Sequence, residues 1–543
     1  MRREVIDPAF SFSLAADSRT LTAVSRHFVK VWPMSLSLFD IAVFVAFVSS
    51  VVALSMAKSR KENDSEDFFL AGRGLTWYLI GFSIVAANIS TEQFVGMSGQ
   101  GAGNVGLAVS GFQLLGSVTI VFVAIFFLPR FLRAGVYTIP EYLEYRYNAA
   151  ARGIMAFFTL VIYVTITSTA VLYSGGLTFH TVFDVDLTQA IWFIGFIAAL
   201  YATWGGLKAV AWADLIQGSG LLVGGILTMV LGFVALGGVG NFLSGSADKL
   251  HMVLPANHPE IPWTVLVLGL WIPNFYYCGL NQFIVQRTLA AKDLRQGQLG
   301  IIFAAALWLI VPFAIVFPGI MAVQLYGHQI TSPDQAYPTL LRNLLPNGLR
   351  GFILAALAGA VISTLASVLN SASTIFTMDL YLRHWKKDAS QNSLVAIGRV
   401  MTVLFVLVGC LLAPQIADPK FGGVFKYIQE FQGYISPGIL AAFVFGFIVK
   451  KAPPAAGVTA LLACVPIYGF LHWQFSEIAY LNRMAITFAV VVFLMGVITA
   501  LWPLKAPVEL PVKREIEMHT SPLVLWLGAA VIAGVIGFFV AFW

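Results

Sequence analysis

The sequence predicts an all-α membrane protein with fourteen transmembrane helices, and three features of it carry this prediction. Hydrophobic residues make up 59% of the 543 residues and charged residues only 11%, whereas soluble domains carry about 25% charged residues. The apolar residues form blocks of roughly twenty, long enough for a helix to cross the ~30 Å hydrocarbon core of a bilayer. Lysine and arginine are concentrated in alternate connecting segments, which is typical of a multi-pass protein.

The apolar blocks are spread along the chain. They cover 38–57, 77–98, 107–128, 151–173, 187–204, 209–236, 262–285, 299–325, 349–380, 395–414, 423–448, 453–471, 484–502 and 522–541. If the first block runs from outside to inside, most basic residues fall in inner loops, Arg287 among them, and both termini lie outside. We therefore expect a bacterial inner-membrane protein whose partner is the lipid bilayer, and the net charge of +6 does not predict nucleic-acid binding.

The N-terminal segment 1–33 stands apart from these blocks. It has no cleavable signal pattern, and Met34 begins the apolar stretch MSLSLFDIAVFVAF. Residues 1–33 are therefore a disordered arm or precede the true start, and we assign them no function. Residues 34–60 are predicted to form an additional N-terminal helix.

Two blocks are interrupted by polar or helix-breaking residues. The second contains AANISTEQ, and the seventh contains LWIPNFYYCGLNQ, in which Pro273 and Gly279 flank the segment 274–278. Proline removes a backbone donor and glycine tolerates irregular dihedral angles. Interrupted spans at positions 1 and 6 of a ten-helix unit indicate a transporter built from inverted repeats. We predict a first repeat over 61–240, a second over 241–450, and additional C-terminal helices over 451–543.

The polar residues in these blocks suggest what the protein binds. The second block carries Asn88, Ser90, Thr91, Glu92 and Gln93. A single polar residue commonly joins two helices, but five together opposite another broken helix favour a solute site. In the ninth block, Ser363 and Thr364 lie among small residues, and close packing of helices alone would explain most of that stretch. Two hydroxyls beside unwound carbonyls would nevertheless form an all-oxygen shell suited to a hard cation such as sodium.

Other classes of function find little support. The three cysteines lie in apolar blocks at unrelated spacings, and no phosphate-binding loop or dinucleotide fingerprint occurs. We therefore predict no enzyme activity and no organic cofactor. A transporter-like sensor would need a fused signalling domain, and the hydrophilic segments are too short for one. A channel also lines its pore with polar residues, but the paired interruptions favour alternating access.

Four stretches together resemble the solute:sodium symporter family. They are DFFLAGRGLTWYLIGFSIVAANISTEQFVGMSG, GLWIPNFYYCGLNQFIVQRTLAAK, STLASVLNSASTIFTMDLY and YIQEFQGYISPGI. The resemblance covers the chain from about residue 36 onward and extends to sugar-transporting members of the family. It implies a leucine-transporter-type core of five plus five helices with discontinuous helices 1 and 6, sodium symport by alternating access, and no required oligomer.

The resemblance also implies where sodium binds. The matching positions are the carbonyls of Ala86, Ile89 and Ala360 and the hydroxyls of Ser363 and Thr364. Asp214 matches an aspartate near the ion exit, and it would form part of a second sodium site with Ser363 and Ser367. Ala366 lacks the hydroxyl that such a second site has, so we expect one sodium ion per solute.

The solute site is implied in the same way. Its matching positions are Gln93, Gln113, Gly116, Asn274, Trp308 and Gln429, with gate residues Met97, Phe112, Tyr277 and Phe425. Relative to the family's galactose transporter, Gln113 replaces a glutamate, Gly116 a serine and Trp308 a lysine. Amides both donate and accept hydrogen bonds, as polyol hydroxyls require. We expect a neutral monosaccharide, with a cyclic polyol such as inositol or an amino sugar derivative as alternatives.

Overall fold

The structure is a computed structural model that describes residues 37–58, 70–204, 207–512 and 519–543. The segment 1–33 and both ends of the predicted helix 34–60 lie outside the described residues. The helices are α1 Leu38–Lys58, α2 Trp77–Asn88, α3 Ser98–Ala102, α4 Gly106–Ala134, α5 Ile139–Arg146, α6 Ala149–Phe183, α7 Leu187–Trp204, α8 Leu207–Ala235, α9 Val239–Gly245, α10 Trp271–Gly279, α11 Gln282–Leu289, α12 Leu294–Gln329, α13 Ala336–Leu344, α14 Leu349–Trp385, α15 Gln391–Ala417, α16 Val424–Gln432, α17 Ser436–Ile448, α18 Pro454–Gln474, α19 Tyr480–Leu501 and α20 Pro522–Ala541. The ranges of α4, α6, α12, α14 and α15 include their 3-10 and π turns.

Most of these helices are built to cross a membrane. Within the described ranges, nine are long and apolar enough to span a bilayer, and α16 with α17, bent by 46° at their junction, makes a tenth. Four shorter apolar helices are Leu38–Val51, Trp77–Asn88, Leu187–Ala202 and Val265–Gly279. The chain is therefore an all-helical integral membrane protein, as the composition predicts.

The second apolar block is interrupted where the polar row begins. The N–H of Ile89, the last helical donor of α2, bonds to the carbonyl of Val85 (2.7 Å), and Ile89 itself has φ −90° and ψ 80°. Helical bonding resumes when the amides of Gln93 and Phe94 donate to the carbonyl of Ser90 (3.0 and 3.1 Å). The carbonyls of the last turn of α2 therefore lie at a helix C-terminus, where they lack intrahelical partners.

The seventh block is also interrupted, but not where its proline and glycine suggest. Residues 274–278 are helical within α10, and the break falls at Leu280 and Asn281 before α11 begins. Pro273 occupies the first turn of α10, where a missing N–H costs no intrahelical bond. Gly279 is the last residue of α10, so it ends the helix instead of opening a gap inside it.

Burial separates central from peripheral helices. In its most apolar 18-residue window, α14 is 89% buried, whereas α19 is 22% and α20 is 28% buried. Helix α8 packs against α14, α2 and α1, and α2 also packs along α12. Helices α2, α8, α12 and α14 therefore form one packed group, and the exposed apolar faces of α19 and α20 are available to lipid.

The N-terminal helix is fastened to the core by a buried carboxylate. Asp40, fully buried at the start of α1, accepts hydrogen bonds from the amides of Gly348 (2.6 Å) and Gly351 (3.0 Å) at the beginning of α14. Its second oxygen accepts from the amide of Ser37 (3.1 Å), while the Ser37 hydroxyl caps the Asp40 amide (3.0 Å). One side chain therefore caps two helices at once.

Replacing this carboxylate should destabilise the protein without touching the binding region. Asp40→Ala leaves buried amides unbonded, and we expect a loss of about 1–3 kcal/mol for the unsatisfied donors, seen as a lower unfolding temperature in detergent. Asp40→Asn, which keeps one acceptor, should lose less, and Asp248→Ala, at an exposed position, should lose nothing measurable. An unchanged unfolding temperature for Asp40→Ala would contradict the anchoring role.

Candidate functional site

A buried ion pair lies between α8 and α11, the helix that follows the second interruption. Asp214, on α8, lies 3.3 Å from the guanidinium Nη2 of Arg287, on α11, and both side chains are 1% exposed or less. The hydroxyls of Ser83, on α2, and Ser363, on α14, each donate to one oxygen of the Asp214 carboxylate. The carboxylate therefore holds four helices together.

The arginine of this pair is fully bonded. Its Nε donates to the carbonyl (3.0 Å) and hydroxyl (2.6 Å) of Ser83, and its Nη2 donates to the Ser367 hydroxyl (2.8 Å). The Nη1 group donates to the carbonyl of Phe283. Arg287, which the sequence predicts in an inner loop, lies instead in α11 and is 1% exposed, so that prediction is wrong. Its burial is tolerated because each charge is paired and hydrogen-bonded.

Two of the predicted sodium positions, Ala86 and Ser363, lie beside this ion pair. Ala86 lies one turn beyond Ser83 on α2, and a methyl group added at Gly218, one turn beyond Asp214, would lie 3.1 Å from the Ala86 Cβ. Ser363 and Thr364 face this region from α14, and Thr364 Oγ1 is buried without a hydrogen-bond partner in the described part of the chain. Ile89 and Ala360 are buried as well.

The predicted solute residues meet in one cavity between the two interruptions. Gln93, Gln113, Gly116, Asn274, Trp308 and Gln429 all line it, together with Phe112, Tyr277 and Phe425. Its volume is about 50 Å³, enough for a few water molecules. A sugar ring therefore requires some of these side chains to move outward.

Some polar side chains of the cavity lining are hydrogen-bonded to one another, and others have unbonded polar atoms. Asn88 Nδ2 donates to the Tyr277 hydroxyl (3.2 Å), and Gln113 Nε2 donates to Asn88 Oδ1 (2.7 Å). In contrast, Gln93 Oε1 and Trp308 Nε1 are buried without partners among the described residues. Buried polar atoms are normally bonded, so an acceptor and a donor left free in one cavity point to a bound polar molecule.

Two of the departures from the galactose pattern contact each other. A Cβ on Gly116 would lie 3.6 Å from the Trp308 ring, and 3.8 Å from the Asn274 amide oxygen. At this distance a Cβ would be in ordinary contact with the indole, so positions 116 and 308 are neighbours in the lining of the cavity. Sequence comparison position by position treats these two changes as independent.

Aromatic side chains close the cavity at both ends. Phe112 and Phe425 meet edge to face with ring centroids 5.0 Å apart, and Tyr277 packs against Phe283 at 5.7 Å. Met97 is fully buried but does not line the cavity, so its assignment as a gate residue stays a prediction. Ser83 and Arg287 are not among the predicted site residues, and Asn88 is predicted only as a member of the polar row.

The ion pair should behave as a unit under mutation. Arg287→Gln leaves the Asp214 charge buried and unpaired, so we expect a loss of about 3–5 kcal/mol. Asp214→Asn combined with Arg287→Gln should cost less than the sum of the two single changes. Thermal unfolding of the three variants in detergent measures this coupling, and strictly additive losses would contradict a direct pair.

Comparison with known proteins agrees with this geometry. The family described as "Sodium:solute symporter family" matches residues 68–463. A sodium/glucose cotransporter of Vibrio parahaemolyticus is 38% identical over 83% of this chain and 88% of its own length. A human sodium/myo-inositol cotransporter 2 is 33% identical over 76% of this chain and 66% of its own length.

Solved structures share the fold. A sodium-coupled sialic acid symporter superposes with a TM-score of 0.77 at 20% identity, covering 88% of this chain and 100% of that one. A nucleobase-cation-symport-1 transporter in a closed conformation gives 0.53 at 14% identity, covering 82% and 97%. Because the family match spans most of the chain, the protein belongs to the sodium:solute symporter family and is a sodium-coupled solute symporter, not an enzyme.

Proposed function

We propose that the protein couples sodium entry to the uptake of a neutral sugar by alternating access. One observation carries the choice of solute: the unbonded acceptor of Gln93 and the unbonded donor of Trp308 share one cavity with the amides of Gln113, Asn274 and Gln429. A polyol hydroxyl both donates and accepts, so it satisfies both kinds of group. The cavity joins the two places where the helices are interrupted.

The charge of the lining favours a neutral solute. Glu92 is the one ionisable carboxyl among the side chains that line the cavity, and neither lysine nor arginine is found there. A sugar carrying a carboxylate would therefore meet no cation, and burying its unpaired charge is costly. A cyclic polyol such as inositol, or an amino sugar derivative, remains compatible with this lining, and the inositol-transporting relatives support the former.

The proposed architecture is the inverted repeat of five plus five helices within fourteen spans. The ten candidate spans and the four shorter apolar helices together make up that number. Helices α2 with α3 and α10 with α11 are then discontinuous helices 1 and 6, and Phe112, Phe425, Met97 and Tyr277 gate them. On this proposal, both termini lie outside a bacterial inner membrane.

Sodium is proposed to bind at the C-terminus of α2. Its ligands are the carbonyls of Ala86, Ile89 and Ala360 and the hydroxyls of Ser363 and Thr364. Ser363 donates its hydrogen to Asp214, which leaves the oxygen lone pairs for a cation. The unpartnered Thr364 hydroxyl supplies a further oxygen.

We propose a single coupling ion. Arg287 lies where a second sodium would use Asp214, Ser363 and Ser367: its Nη2 contacts both Asp214 (3.3 Å) and Ser367 (2.8 Å). A second cation there would have to share one carboxylate with the guanidinium, and like charges at such separation repel strongly. Asp214 and Ser367 then belong to the ion exit.

Sodium coupling through Thr364 predicts a selective kinetic change. In proteoliposomes, a sodium gradient should drive uptake and a proton gradient alone should not. Thr364→Ala removes one ligand oxygen, so the sodium concentration for half-maximal uptake should rise about 5- to 10-fold, as for one lost hydrogen-bond-like contact. Thr374→Ala is the matched control, because that buried hydroxyl on α14 bonds only to the Asn370 carbonyl (2.6 Å). Equal sodium dependence of both variants would remove Thr364 from the ion site.

The solute site predicts a loss of affinity at the two unbonded groups. Gln93→Ala and Trp308→Phe should each weaken solute binding about 5- to 150-fold, which corresponds to about 1–3 kcal/mol for a lost buried partner. Gln298→Ala is the control, since its amide is buried outside the cavity and bonds to the Ala124 carbonyl (3.1 Å).

The solute itself is identified by thermal shift with sodium present. The panel contains neutral monosaccharides, cyclic polyols, amino sugars and a carboxylate-bearing sugar, and a bound solute raises the unfolding temperature by mass action. We expect a neutral sugar to give the largest shift. Binding of the carboxylate-bearing sugar alone would reject the neutral-solute proposal.

A further inference from the structure

A second, larger cavity lies away from the solute site. Its volume is about 620 Å³, and it is bounded by the end of α4, by α5, by the end of α17 and by the segment 507–512. The amides of Leu504 and Val508 donate to the carbonyls of Lys451 (2.9 Å) and Lys450 (3.0 Å), which holds this segment against the end of α17. The cavity is therefore a built feature of the fold.

The cavity is strongly basic. Arg130, Arg133, Arg146 and Lys450 line it, whereas Glu509 is the one acidic residue of the lining among the residues that the structure describes. Within the ranges that the structure describes, Arg130, Arg133 and Lys450 take part in no ion pair. Their positive potential is therefore available to an anion.

Two of these arginines are held in place by the protein. Arg146, which is 3% exposed, donates to the carbonyls of Gly446 (2.8 Å) and Val449 (2.6 Å) at the C-terminus of α17. The Arg130 guanidinium lies 5.3 Å from the centre of the Phe447 ring. Both cations are thus oriented before any ligand arrives.

A buried hydroxyl supplies a second, independent sign of a ligand. Tyr142 on α5 is 1% exposed and lines the cavity, and its O–H has no hydrogen-bond partner in the described part of the chain. Its ring is fixed among Phe131, Phe443 and Phe447, at centroid distances of 5.2, 5.5 and 5.6 Å. Buried hydroxyls are seldom left unbonded, so this phenol is a candidate donor to a ligand of the cavity.

The surroundings of the cavity indicate where its ligand comes from. Phe126 and Ile448, next to the cavity at the ends of α4 and α17, are exposed apolar residues on spans that face lipid. The lining itself includes Ile125, Pro129 and Phe447, which offer an apolar surface beside the cations. The cavity therefore lies beside apolar helix surface that is exposed and available to lipid.

We propose that this cavity binds the phosphate of an anionic phospholipid headgroup. Arg130, Arg133 and Lys450 bind the phosphate oxygens by charge-assisted hydrogen bonds, the Tyr142 hydroxyl donates one more, and Arg146 strengthens the field. The acyl chains of the lipid lie along the exposed apolar surface beside Phe126 and Ile448. This site is separate from the solute path and does not depend on the identity of the solute.

The test measures unfolding temperature in detergent with added phosphatidylglycerol, phosphatidylcholine or inorganic phosphate. Phosphatidylglycerol should raise the unfolding temperature of the unsubstituted protein, and the other two should not. Arg133→Gln with Lys450→Gln should raise the half-saturating mole fraction of phosphatidylglycerol at least about tenfold, as expected for two lost charge-assisted bonds. Tyr142→Phe, which keeps the packed ring, should raise it by about 2- to 5-fold.

The control is Lys292→Gln with Arg295→Gln. These exposed basic residues lie outside the cavity, beside the turn at Ala290 that pairs with Leu75, and their replacement removes the same charge. This control should respond to phosphatidylglycerol as the unsubstituted protein does. The proposal is overturned if the cavity variant keeps the full response or if the control loses it equally. An equal shift with inorganic phosphate would likewise overturn it, in favour of a site for free phosphate.

Discussion

The carboxylate of Asp214 is the constraint on which the binding region depends. A buried charge must be paired and its oxygens bonded, and this requirement fixes Ser83, Ser363 and Arg287 around one point. Ser83 lies before the break in the first discontinuous helix and Arg287 after the break in the second. The pair therefore ties together two helical segments, one before the first break and one after the second. Because Ser363 belongs to both the ion pair and the proposed sodium shell, a cation bound beside it acts directly on the group that holds α2, α8, α11 and α14 together.

The breaks themselves explain why one cavity can collect such different groups. Asn88 lies on the near side of the first break and Gln93 on the far side, yet both line the cavity. In an unbroken helix, residues five apart point in different directions. The irregular segment at Ile89 and Ser90 therefore brings together a fixed wall, in which Asn88 is bonded to Tyr277 and Gln113, and an adaptable one, in which Gln93 has no partner.

Much of this arrangement was predictable from sequence, and the exceptions have physical reasons. Composition and block length predict the membrane helices, and the polar row marks the first break within two residues. The second break was misplaced because proline stops a helix only beyond its first turn, and sequence does not reveal where that turn begins. The sequence places Arg287 in a loop because it does not show that the partner Asp214, 73 positions away, lies beside Arg287 in the fold. The sequence does not reveal that Gly116 and Trp308 are neighbours either, because the two residues are also far apart in the chain.

Charge is handled in two different ways in this molecule, and burial decides which. In the core, an unpaired charge would be costly, so Asp214 and Arg287 neutralise each other. The unbonded atoms of Gln93, Trp308 and Thr364 belong to residues that we propose bind the solute or the sodium ion. At the ends of α4 and α17, Arg133 and Lys450 are exposed beside the second cavity, where water and, on our proposal, a lipid phosphate solvate them. Arg133 and Lys450 therefore need no acidic partner from the protein. A cationic side chain thus stabilises the core where it is paired with a carboxylate. On the surface, unpaired cationic side chains form a basic region that an anion can bind.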